Sequence, residues 1–145
     1  MDNTHFYEVN LVWNFSTQGT LSSPIIPATI EVVTPPEFPK GIKEKWKPEH
    51  LFVVAINACL MSTFLLVADN SKFKFISFES NAVGKIQKVG SKFLVTEIVL
   101  TPTLMISSTQ SEAKAKRVLK ISEETCAIAN SIKTKITLEP IITIH

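Results

Sequence analysis

Residues 48–70 read PEHLFVVAINACLMSTFLLVADN, and the reading of this stretch decides the fold. From Leu51 to Ala68 every residue is apolar or small except Asn57, Ser62 and Thr63, and Cys59 sits at the middle. A helix that is apolar all round, rather than along one stripe, has to be covered on all sides. Its start is well marked. Pro48 suits the first helical position, where a missing N–H costs nothing, and Glu49 complements the positive end of the helix dipole. Asp69-Asn70-Ser71 supplies the stop. The run approaches the roughly 20 residues of a membrane span. Against a span, Asn57 interrupts it, aromatic belts are missing, and the rest of the chain reads as strands that need a core. The reading is a central helix wrapped by strands, with a thiol at its midpoint. On the helix alone, Cys59 is one more small buried hydrophobe, the commoner fate of a free cysteine.

Composition narrows the class. A chain of 145 residues makes a single domain, expected over 1–145, with enough length to bury a core. Apolar residues make up 45% and charged residues only 19%. That balance leaves more to bury than one small surface allows, and points to an oligomer. A net charge of +2 with no basic run interleaved with aromatics gives no argument for nucleic acid. Met1-Asp2-Asn3-Thr4 leads into a polar–apolar alternation rather than a signal peptide. Two cysteines in such a chain are expected to be reduced, and the expected compartment is the cytoplasm.

Taken in order, residues 5–15 alternate around Tyr7, Val9, Leu11 and Trp13 as a half-buried strand. Ser16 to Gly19 reads as a hairpin turn into a short strand near Thr20 to Ser23. Ile25 to Val33 is a third strand, interrupted by Pro27. Pro35, Pro36, Pro39 and Gly41 make 34–47 a loop, whose lysines at 40, 43, 45 and 47 read as a solvated edge. After the central helix, 73–89 and 92–107 pair as antiparallel strands about Gly90-Ser91, with Gly84 as a bulge or bend and Pro102 as an edge or kink. Residues 111–124 form a second helix, with Ala113, Val118, Leu119 and Ile121 on its apolar face. A short helical turn begins near Cys126, and 133–144 closes as one strand. The order is three strands, helix, two strands, helix, strand: an α+β domain with mostly antiparallel sheet.

Cys59 and Cys126 are the only thiols, one on each helix. Cys126 precedes the amphipathic turn CAIANSI, which places its sulfur near a helix N-terminus where a thiolate is favoured. Glu123 and Glu124 pull the other way. His5, His50 and His145 share no ligand spacing with the cysteines, so a metal site is not expected. The scattered glycines form no phosphate loop.

The run P-E-H-L-F-V-V-A-I-N-A-C, with Glu49 ahead of Cys59, resembles the proline–glutamate–cysteine signature of the OsmC/Ohr family. The segment SEETCAIANSI at 122–132, followed by the strand TKITLEPII, looks like that family's second-cysteine region. The order of strands and helices matches the family over nearly the whole chain. The resemblance implies an OsmC-like fold, with sheets wrapped around the cysteine-bearing helix of an intertwined homodimer. It also implies a thiol-dependent peroxidase for organic hydroperoxides, with no metal or organic cofactor and its active site at the subunit interface. Cys59 carries over as the peroxidatic thiol, Cys126 as the resolving thiol and Glu49 as the acidic group. A lipoyl-type dithiol is the implied reductant. Neither nucleic acid nor membrane is an implied partner.

Helix geometry adds a constraint. Positions 49 and 59 of one helix lie about 15 Å apart along its axis, too far for the carboxylate to touch its own chain's sulfur. A bent helix or a second subunit has to deliver it. One departure from the family also stands out. Its peroxidases place an arginine in the early strand–turn region, whereas the only arginine here is Arg117, on the second helix. The matching turn reads FSTQG, with Gln18 at the candidate position, and glutamine brings no charge to a thiol. A lysine from 40–47 is a further candidate. Three functional readings follow: a two-cysteine peroxidase, a family member that binds or senses redox state with weak or no peroxidase activity, and a structural domain with two inert thiols.

Overall fold

The computed structural model describes residues 3–145; Met1 and Asp2, the start of the stretch read as lacking a signal peptide, lie outside the described residues. The chain divides into two compact units, one ending at Leu51 and the other Phe52–His145.

The first unit holds a three-stranded antiparallel sheet, β1 (Asn10–Phe15), β2 (Gln18–Ser23) and β3 (Ile26–Val33), in that order. β1 begins at Asn10, later than the alternation suggests. Its register pairs Asn10 with Ser22, one residue from the end of β2, so residues before Val9 run beyond the pairing available from β2. The hairpin turn is Ser16-Thr17, with Ser16 in the left-handed region at φ 47. Gln18 is therefore the first residue of a strand rather than part of the turn. The proline-rich 34–47 segment is tied back to this sheet. Val33 N–H donates to Trp46 O at 2.9 Å, Ile42 N–H to Thr34 O at 3.0 Å, and the Thr17 hydroxyl to Lys40 O at 2.7 Å.

The second unit is built on helix α1 (Pro48–Asn70), whose first turn belongs to the unit before it, and a second sheet. The sheet contains β4 (Ser77–Val89), β5 (Lys92–Ile106), β6 (Lys135–Leu138) and β7 (Ile141–Ile144). β4 and β5 form a long antiparallel hairpin closed by Gly90-Ser91, with Gly90 at φ 64. β6 and β7 both pair with β5, and both run parallel to it. The single closing strand expected over 133–144 is thus divided, and the sheet is mixed rather than wholly antiparallel. The register is the same on both sides of the division, so Pro140 stands opposite Pro102. Two residues without N–H donors meet where the ladder has no bond to lose. Pro102 accordingly sits buried within a central strand, not at an edge.

Helix α1 is long and apolar enough to cross a membrane by length and composition. In this chain one row, Ile56, Leu60, Phe64 and Ala68, is buried, one helical turn apart. Ile56 and Leu60 pack with Ile98 and Leu100 of β5. Phe64 and Ala68 pack with Leu104 and Ile106 of β5 and with Ala115, Val118 and Leu119. Phe64 also stacks on Phe78 at 4.8 Å between ring centroids and meets Phe75 edge-on at 5.0 Å. Each of the large apolar side chains in this row contributes about 1.5–3 kcal/mol by leaving water. The opposite face, with Val54, Met61, Leu65 and Leu66, is exposed in the single chain. The sequence expectation of cover on every side is met on one side only.

Helix α2 (Glu112–Thr125) buries Ala115, Val118, Leu119 and Ser122. Ala113 and Ile121, expected on its apolar face, are exposed; Ala115 and Ser122 instead fall at the i, i+3, i+4, i+7 spacing that puts them on one face with Val118 and Leu119. Ser111 caps the helix by accepting from Lys114 N–H at 3.1 Å.

Asn57 fixes the height of α1 on β4: its amide donates to Ser80 O at 3.0 Å, and the Ser80 hydroxyl returns a bond to Asn57 Oδ1 at 2.6 Å. Gly84 fixes the approach. A Cβ there would lie 2.5 Å from Val53 Cγ2, while the strand bulge expected at Gly84 falls one step later, between Lys85 and Ile86. Gly84→Ala is expected to destabilise the fold by about 1–3 kcal/mol through overpacking against α1, measured as a lower urea midpoint at unchanged slope.

Candidate active site

Cys59 flanks the buried row of α1 and is half-buried. Cys126, only 2% exposed, arrives from the other side at a corner between two helices. It ends α2 and begins α3 (Ala127–Asn130), with φ −60 and ψ 114 breaking the helical path. Its N–H donates to Glu123 O, its carbonyl accepts from Asn130 N–H at 3.0 Å, and its Sγ accepts from Ala129 N–H at 3.5 Å. The Asn130 side chain reinforces the corner by donating to Glu124 O at 3.0 Å.

This corner brings the two sulfurs together with the first N–H groups of the α3 turn. Burial alone would raise the Cys59 thiol. The neighbouring Cys126 thiol, the N–H of Ile128, the Thr63 hydroxyl and the N–H of Ala127 overcome it and hold Cys59 below its ordinary value. Every one of these lowering groups is a hydrogen-bond donor to the charged form. The Thr63 hydroxyl lies 3.8 Å from Cys59 Sγ, one turn along α1. Cys126 moves the opposite way. Burial comes first, then its interaction with Cys59, and these outweigh the Ala129 and Ile128 N–H groups to push its thiol up. A helix start does favour a thiolate, as the sequence suggests, but the sulfur that gains is Cys59 rather than Cys126. Glu123 and Glu124 are taken up by Lys120, at 3.7 and 3.6 Å.

Gln18 and Glu49 belong to the first unit. Gln18 is 7% exposed, and its Oε1 accepts from Lys45 Nζ at 3.1 Å. Lys45 also pairs with Glu31 Oε2 at 3.0 Å, so this lysine of the 40–47 loop is engaged rather than part of a free solvated edge. Glu49 keeps one carboxylate oxygen, Oε1, buried without a hydrogen-bond partner. His50 is exposed and accepts from Lys47 N–H at 3.1 Å. Arg117 is exposed on α2. Among the described residues no three His, Cys, Asp or Glu gather to hold a metal ion. Sequence reasoning passed over Thr63, whose signal was its spacing of four from Cys59 on a helix. It also passed over the Ala127 and Ile128 backbone donors, which carry no side-chain signal.

The fold and these two interacting thiols define a two-cysteine α+β protein with one thiol shifted down and the other shifted up beside it. The profile of the OsmC-like protein family matches residues 41–140, and the chain belongs to that family. An OsmC-like protein of unknown function from Vibrio cholerae O1 biovar eltor is 25% identical, with a TM-score of 0.85 over 95% of this chain and 100% of its own. An organic hydroperoxide resistance protein from Elizabethkingia anophelis is 18% identical, with a TM-score of 0.78 over 100% of both chains. The organic hydroperoxide resistance protein OhrB of Bacillus subtilis is 15% identical, at 0.69 over 95% of this chain and 98% of its own. At those lower identities the likeness is one of fold. Among curated proteins, none matches.

The coupling of the two thiols has a measurable sign. Cys126→Ala removes one of the groups that lower Cys59, so the pH midpoint for Cys59 alkylation by iodoacetamide is expected to rise. Cys59→Ala is expected to move the Cys126 midpoint down. Peptide mass mapping of labelled full-length protein reads both sites separately.

Proposed function

We propose that this chain is a thiol peroxidase that reduces organic hydroperoxides in the cytoplasm. The observation that carries the reading is a Cys59 thiol held below its ordinary value with a second thiol next to it. The Cys59 thiolate attacks the terminal peroxide oxygen and the O–O bond breaks. The alkoxide takes a proton and leaves as an alcohol, and Cys59 becomes a sulfenic acid. Cys126 then displaces water from that sulfur and forms a disulfide. A partner thiol at this point protects Cys59 from irreversible over-oxidation. A dithiol of lipoyl type reopens the bridge by exchange and is itself oxidised to a cyclic disulfide.

The same reading makes the working molecule a homodimer. The uncovered face of α1 and the exposed Leu11, Val12, Trp13 and Phe15 of β1 support it, because apolar area on this scale marks an association surface. The axial spacing along α1 supports a second copy, rather than the same chain, as the source of a Glu49 carboxylate for Cys59. An unpartnered buried Glu49 oxygen supports a donor supplied on assembly. In this reading Gln18, with the Lys45 ammonium bonded to it, stands in for the arginine of the family's peroxidases.

Turnover of cumene hydroperoxide with dihydrolipoamide tests the reaction. Wild type is expected to consume peroxide continuously, Cys59→Ser not at all, and Cys126→Ser for about one equivalent before Cys59 is over-oxidised. No turnover by a wild-type chain whose Cys59 still ionises low would favour a redox-sensing or ligand-binding member of the family instead. Light scattering is expected to give about twice the 16.1 kDa chain mass.

A further inference from the structure

We propose that Thr63 is a further residue of the thiol site, its hydroxyl acting as the hydrogen-bond donor to the Cys59 sulfur from within α1. A serine or threonine hydroxyl inside a helix ordinarily returns to the carbonyl four residues back. Ser122 bonds Val118 O at 2.7 Å, Thr125 bonds Ile121 O at 2.6 Å and Ser131 bonds Ala127 O at 2.7 Å in this way. For Thr63 that carbonyl belongs to Cys59. The Thr63 hydroxyl instead meets the Cys59 sulfur at 3.8 Å, and the Cys59 carbonyl takes its bond from the Ser62 hydroxyl at 3.2 Å. The neighbouring serine thus occupies the ordinary acceptor and leaves the threonine turned to the sulfur.

The chemistry suits the place. A hydroxyl rotates, so it donates to a thiolate and accepts from a thiol without adding charge. The bond to the ionised form is the stronger, which favours that form. Ala127 and Ile128 approach the same sulfur through their N–H groups from α3. Thr63 therefore completes a hold from two elements and supplies from the helix itself part of what a nearby cation would supply. No proton leaves Thr63 in this role.

The proposal rests on Cys59 being the reactive thiol, and its test reads the thiol's ionisation rather than peroxide turnover, so a chain without peroxidase activity can still show the effect. Full-length wild type, Thr63→Val and Thr63→Ser are alkylated with iodoacetamide across a pH series, and Cys59 labelling is followed by peptide mass mapping. The valine variant is expected to shift the Cys59 midpoint to higher pH and slow labelling at pH 7 by about threefold or more. The serine variant is expected to restore both. An unchanged midpoint in folded Thr63→Val, or equal shifts in the valine and serine variants, overturns the proposal. Should the valine variant fail to fold by circular dichroism, Thr63→Ala against Thr63→Ser gives the same comparison with the same two outcomes.

Discussion

The row Ile56, Leu60, Phe64 and Ala68 is the contact on which the second unit depends. It seats α1 on β5, and that seating decides which way every other α1 side chain points. With the row turned inward, Cys59 and Thr63 fall on one flank, half-buried. Asn57 locks the height through Ser80 while Gly84 lets strand and helix approach. The Cys59 sulfur is thus aimed by apolar packing together with the Asn57–Ser80 pair. α2 rests on the same core through Ala115, Val118 and Leu119, and its C-terminal corner delivers Cys126.

The parts of this arrangement that were legible in the sequence are those written in side-chain pattern. The apolar run at 48–70 and the Gly90-Ser91 turn each announce an element, and the two cysteine segments carry the family resemblance that the profile match bears out. What escaped was written in pairing. Neither Pro102 nor Pro140 alone reveals that each faces the other, and only the common register of β6 and β7 shows why a proline is tolerated inside a central strand. The start of β1 likewise depends on where β2 ends. At the site, the residue types were readable but the direction of their mutual influence was not. It depends on backbone N–H groups that every residue but proline possesses.

The first unit shows how a loop can acquire purpose from a single buried amide. Gln18 sits at the head of β2 because the hairpin turn takes only Ser16 and Thr17. Its oxygen needs a donor, and Lys45 supplies one while also answering Glu31. The cation is held by two acceptors on neighbouring strands, which gives it a defined position that a lone surface lysine would lack.

The α3 turn serves both sulfurs: the Ala127 and Ile128 N–H groups lower Cys59, and those of Ala129 and Ile128 act on Cys126. Burial first, and then the neighbouring Cys59, push the Cys126 thiol up. The Ala129 N–H meets the Cys126 sulfur at 3.5 Å and, with that of Ile128, works against this rise without cancelling it. Two otherwise similar cysteines are thus made unlike by what surrounds them, with one four-residue turn of backbone shared between them.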